Sequence, residues 1–170
     1  MTRSSLWASS LLSVLLTAIL TTASRPAYGA AAPKPVILDT DICDDIDDTW
    51  AIALMLHSPE LDCKLITTAV GNTEIKAKVV AKFLDKVGRT NIPVGIGAKQ
   101  HDRSHRQTAW AADYNLSSYP GRVCQDGVQA IIDTIMNSQS RVTLIATGPL
   151  PNVAGQSGST RSSAASVPYR

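Results

Sequence analysis

Between Asp39 and Asp48 the chain places six Asp in ten positions, DTDICDDIDD, and holds this run between two apolar segments, VIL before it and WAIALML after it. The whole chain has only 14 acidic residues, so the concentration is local and not a bias of composition. A solvated acidic patch has no reason to be pinned between two hydrophobic elements. Carboxylates brought this close repel one another, and a bound cation is the usual relief. The pattern therefore reads as strand, acidic turn, helix.

The rest of the chain repeats that alternation. VILDTD after Pro35 is a short β-branched run, expected to be a buried strand. Asp47 and Asp48 open TWAIALMLHS, a helix apolar almost all round and so expected to be buried, with acids suiting its N-terminal dipole. CKLITTAV at 63–70 is a second strand, ending at Gly71-Asn72. In 74–87, Ile75, Val79, Val80, Phe83, Leu84 and Val87 share one stripe, with Lys76, Lys78, Lys82 and Lys86 mostly off it. IPVGIG at 92–97 gives a third strand, and 98–122 is a polar loop. Val128, Ile131, Ile132, Ile135 and Met136 mark another amphipathic helix, and RVTLIATGPL at 141–150 a fourth strand. The expected fold is α/β, an open and mostly parallel sheet with helices on both faces.

The ends of the chain differ in character from this middle. Residues 1–30 run from one Arg through LWASSLLSVLLTAIL to the small-residue stretch AYGAAA. That order is that of a secretory signal peptide, with cleavage expected near Gly29 to Ala31 and a secreted product. Ser and Thr interrupt the apolar run, which falls short of the roughly 20 residues a membrane span needs. Arg3 and Arg25 leave with the leader, so 16 basic residues become 14, balancing the 14 acidic ones. No basic stripe remains for a nucleic-acid partner, and no membrane role is expected after cleavage. Residues 155–170 are rich in Gly and Ser without periodicity and are expected to be disordered. Cys43, Cys63 and Cys124 have no zinc-site spacing; one pair could bridge in an oxidising compartment. Asn115-Leu116-Ser117 is a glycosylation sequon.

In a parallel α/β sheet, ligands bind beyond the carboxyl ends of the strands. Asp39, Asp41, Asp44, Asp45, Asp47 and Asp48 follow strand one, Asn72 follows strand two, and Thr147-Gly148 follows the last strand. All are expected on one edge. So many oxygen ligands suit a hard cation such as calcium or magnesium. Singly, each has a plainer reading: Asp39 orients a turn, Asp44 is a solvated loop acid, Asp47 caps a helix, and Asn72 caps the next one. An EF-hand loop would need Gly at Asp44 and Glu at Trp50, so that motif fails. A haloacid dehalogenase-like phosphatase using Asp39 as nucleophile also starts from D-x-D, but its pattern wants Thr or Val where Cys43 stands.

VILDTDICDDIDDTWAIALML resembles the signature of the inosine-uridine preferring nucleoside hydrolase family, in a variant with two extra residues before the paired Asp. TTAVGNTEIKAKVV and TLIATGPLPNVA agree with the same family, and the likeness covers 34–154. The resemblance implies calcium-dependent hydrolysis of the N-glycosidic bond of ribonucleosides. It implies that Asp41 is metal ligand and general base, and that Asp48 and the Thr147 carbonyl are further calcium ligands. Asp47 and Asn72 would bind ribose, and homo-oligomers would be common. It also implies a second half with more ligands and a His near the leaving base, which does not follow Thr147 here. On that reading 34–154 is a partial domain, 155–170 an aberrant tail, and the chain alone is expected to be inactive; the alternative is a non-catalytic secreted remnant that binds calcium weakly. His57, His101 and His105 would be the candidates for a replacement acid.

Overall fold

A computed structural model describes residues 32–100 and 106–154. The expectations of a signal peptide, of a disordered tail and of roles for His101 and His105 lie outside the described residues. The elements are β1 (Lys34–Thr40), α1 (Asp47–His57), β2 (Leu61–Thr68), α2 (Thr73–Lys86), β3 (Val94–Ile96), two 3-10 turns (Arg106–Ala111 and Leu116–Ser118), β4 (Val123–Cys124), α3 (Gly127–Met136) and β5 (Thr143–Ala146). All strand pairings are parallel, in the order β4-β3-β2-β1-β5. The α/β expectation holds.

Alternation along β1 sorts the core into two faces. Val36 and Leu38 pack with Ile52, Met55, Val79, Val80 and Leu84 from α1 and α2. Ile37 turns the other way, joining Leu65, Ala130 and Ile131 under α3. The pairing register shifts between Val36 and Ile37, opposite Cys63 and Leu65, so Lys64 is the extra residue of β2 and is exposed. That bulge keeps Cys63 and Leu65 on their respective faces despite the odd count between them.

Three expectations need correction. The helix α1 is not buried all round: only the stripe Asp48, Ile52, Met55 is inside, while Trp50 is 68% and Leu54 71% exposed. Its periodicity was uninformative because nearly every position is apolar, so one face of it meets water. Lys76, expected off the buried stripe of α2, is fully buried. The loop from 98 leads into a two-residue strand, β4, too short to carry an alternation signal. The three cysteines are all free. Among the described residues no helix is long and apolar enough to cross a membrane.

The register places the strand ends level with one another. Asp39 pairs with Thr67 on one side and Ala146 on the other, and Thr68 pairs with Ile96. The residues that follow β1, β2, β3 and β5 therefore emerge along one edge.

Candidate active site and metal centre

Asp41 follows β1 directly, and the turn after it is tight. Ile42 and Cys43 are fully buried, and Cys43 has φ 92°, a region that L side chains rarely adopt. The Ile42 N–H donates to Thr40 Oγ1 at 3.2 Å. Thr40 Oγ1 in turn donates to Asp48 Oδ1 at 2.8 Å, closing the turn onto the start of α1. Thr147, delivered by β5, donates its hydroxyl to the same Asp48 oxygen. Asp48 is only 4% exposed and thus receives two hydroxyls from opposite sides of the turn.

Asp41 and Asp48 stand close enough for their carboxyl groups to act on one another. Burial raises the pKa of Asp41 to about 6, and the neighbouring Asp48 adds to the rise, while Lys76 opposes it. Two carboxyl groups that can be jointly ionised only at a cost form a natural cation cradle. The backbone of Gly148 forms the third wall: a Cβ there would stand 2.4 Å from Asp41 Cγ. The donor set is all oxygen, which fits a hard cation, and the Asp41 and Asp48 carboxylates could hold one. A second grouping shares Asp48: carboxylate oxygens of Asp45, Asp47 and Asp48 lie within 4.8 Å of one another. Asp45 and Asp47 are exposed, and a hydrogen bond between them raises the pKa of Asp45 and lowers that of Asp47. These residues could hold a metal at the outer rim of the turn. The Asp41 side is the better cradle, since the partly buried Asp41 meets the buried Asp48 there against the Gly148 backbone.

Asn72 is the N-cap of α2, its side chain accepting from the Ile75 N–H at 3.1 Å. Asp47 stands in the first turn of α1, accepting the Asp48 N–H. The plainer reading is realised for Asn72 alone, because the N-cap of α1 is Ile46, without a side-chain cap, and Asp47 lies one residue inside it; both still belong to the strand-end edge. Asp44 is exposed, as a solvated acid should be, and also pairs with the buried Lys76, whose amine lies 3.4 Å from Asp44 Oδ2 and 2.5 Å from the Asp41 carbonyl oxygen.

Asp39 does not serve as an open nucleophile. It is 1% exposed and accepts from Thr67 Oγ1 at 2.7 Å and from Asn152 Nδ2 at 2.8 Å. Burial raises its pKa, and Oδ2 has no partner. A phosphatase mechanism on this carboxylate has no route for its substrate.

Sequence reasoning passed over Asn152, which ties the edge together. Fully buried, it donates to Asp39 and to the Thr68 carbonyl (3.0 Å) and accepts from the Ala98 N–H (2.9 Å), so it touches the ends of β1, β2 and β3 from the segment after β5. Gly97 makes room for it, since a Cβ there would lie 2.4 Å from Asn152 Nδ2. A lone amide between Pro151 and Val153 was the available signal. Gln107 was also missed; it bonds Thr49 Oγ1 at 3.0 Å and the Asp45 carbonyl, fastening the outer turn.

The family model for inosine-uridine preferring nucleoside hydrolase matches residues 36–157. A non-specific ribonucleoside hydrolase (RihC) of Klebsiella pneumoniae subsp. pneumoniae is 33% identical over 129 residues, covering 71% of this chain and 42% of that protein. A pyrimidine-specific ribonucleoside hydrolase (RihA) of Escherichia coli O127:H6 is 35% identical over 132 residues, covering 71% and 41%. The chain thus spans less than half the length of these relatives. Among solved structures, an inosine-guanosine nucleoside hydrolase superposes with a TM-score of 0.57 at 23% identity, over 77% of this chain and 43% of that one, a likeness of fold.

Proposed function

Because the chain belongs to the inosine-uridine preferring nucleoside hydrolase family, we propose that its strand-end site is that of an enzyme hydrolysing the N-glycosidic bond of ribonucleosides to ribose and free base, with calcium as its metal. The observation that carries this reading is the apposition of Asp41 and Asp48 beside the Gly148 backbone, at the edge where four strand ends meet. Asp41, Asp48 and the Thr147 carbonyl would hold calcium, whose positive charge would polarise the attacking water. Asp41, beside that water, accepts its proton as general base. Carboxylates close to the anomeric carbon stabilise the oxocarbenium character of the transition state. Asp47 and Asn72 hold ribose hydroxyls, both placed on the same edge and both rich in acceptors.

The leader-like residues 1–30 support a secreted location. A mature chain starting near Ala32 would then meet calcium at extracellular concentration, which suits a low-affinity site.

The test is direct. The purified chain is incubated with inosine and with uridine, with calcium and with chelator, and reducing sugar is measured. Ribose release that depends on calcium and disappears in Asp41→Asn supports the reading. Release unaffected by chelator would remove calcium from it, and no release from either nucleoside would remove the activity.

A further inference from the structure

Lys76 is the one fully buried basic side chain among the described residues, and nothing in the activity proposed above uses it. A buried lysine is costly unless its amine is satisfied. Its partners are specific. The amine donates to the main-chain carbonyl of Asp41 at 2.5 Å and stands 3.4 Å from Asp44 Oδ2. Lys76 sits one turn past Asn72, the cap of α2, so it reaches the acidic turn from beneath the strand-end edge.

The Asp41 carbonyl is a sensitive place to hold. It belongs to the peptide joining Asp41 to Ile42, just before the chain turns through the left-handed Cys43. Fixing that peptide fixes the direction in which the Asp41 side chain leaves the backbone. The same side chain has little freedom to be elsewhere, because Gly148 and Asp48 flank it. We propose that Lys76 is a positioning residue of the metal centre: its buried amine holds the Asp41 carbonyl and the Asp44 carboxylate, so that the Asp41 carboxyl faces Asp48 before an ion arrives. This rests on the metal reading above and concerns a residue that reading does not include.

The proposal has a sign that plain electrostatics does not share. A lysine ammonium near a cation site opposes the ion by charge alone, so deleting it should tighten calcium binding. If Lys76 preorganises the turn, deleting it should weaken binding, because the ion must then order the turn itself.

The experiment is a calorimetric calcium titration of the full chain, its Lys76→Met variant and its Leu84→Ala variant. Met keeps the apolar stem of Lys76 and removes the donor. Leu84 is fully buried two turns further along α2, so its truncation matches the loss of stability without touching the turn. The expected result is calcium affinity at least about tenfold weaker in Lys76→Met and unchanged in Leu84→Ala. Equal or tighter binding in Lys76→Met overturns the proposal. So does an equal loss in Leu84→Ala, which would mean general destabilisation. If Lys76→Met does not fold, amide exchange in the calcium-free wild type decides instead. Protection of the Ile42 and Cys43 amides comparable to that of β1 supports a preset turn, and protection that appears only with calcium overturns it. A wild type that binds no calcium refutes the metal reading, whereas the exchange measurement still reports on the turn.

Discussion

A Cβ on Gly148 would lie 2.4 Å from Cγ of Asp41 and 2.5 Å from its Oδ1, so the end of β5 and the end of β1 meet with no room for a side chain between them. Gly148→Ala must therefore push the Asp41 carboxyl away from Asp48. We expect its calcium affinity to fall by about tenfold or more, as for other changes that disturb ligand orientation. A calcium titration of this variant with wild-type affinity would show that Asp41 is not a ligand.

Replacing the central carboxylates should be more drastic. Calcium at 100 times its dissociation constant should stabilise the wild type by about 2.7 kcal/mol. That increment, read as a shift in melting temperature, should vanish in Asp41→Asn. Ribose release, where measured, should drop about 10²–10⁴-fold in the same variant, the range typical of a lost general base.

The pH dependence follows from the raised Asp41. Its folded pKa of about 6 lies above the ordinary 3.8, chiefly through burial and then through Asp48. Between those values the folded state binds the proton more tightly than the unfolded state. Without metal, this group therefore favours folding fully below about pH 4 and loses that contribution as pH rises through 6. Calcium requires the ionised form, so apparent calcium affinity should fall as pH drops below about 6. Titrations at pH 5 and pH 7.5 with equal affinity would contradict the assignment.

Cys43 and Cys63 are both buried, but only Cys43 has a positive φ. A β-branched side chain tolerates that region worst. Cys43→Val should destabilise the protein by about 2 kcal/mol or more, whereas Cys63→Val, in the extended backbone of β2, should cost less than about 1.5 kcal/mol. Denaturant unfolding of the two variants gives the comparison.

Asn152 satisfies one oxygen of a carboxyl that has no other exit to water. Asn152→Leu should cost about 1–3 kcal/mol, the penalty for stranding a buried partner. Asn152→Asp should cost more at pH 7 than at pH 5, because it sets a second carboxylate against Asp39 at hydrogen-bond distance. Thermal melts at the two pH values check the order.

Much of this was readable in the chain. Asp41, Asp48 and Thr147 could be brought together from sequence because parallel sheets gather their strand ends, and the structure joins Asp48 to both. The helix α1 could not be oriented, since its apolar residues surround it and leave no stripe to read. Lys76 is one of four lysines in α2, and spacing alone does not tell the one whose stem runs inward from the three that reach solvent. Asn152 escaped because a single amide carries no period; only the demand that a buried Asp39 find a donor would have pointed to it.

The site also has a temporal aspect, set by where its parts lie along the chain. The hydroxyl of Thr147 meets Asp48 across 99 positions of sequence, and β5 covers the flank of β1 that β2 leaves bare. During synthesis at the usual elongation speed, that interval takes roughly 5–20 s. Throughout it, a nascent chain carries an apolar strand with one naked edge, and the six carboxylates at its tip are the guard against pairing with a neighbour. On the calcium reading proposed above, the cradle is complete only once β5 docks, so ion capture would be a late step of assembly and not its seed.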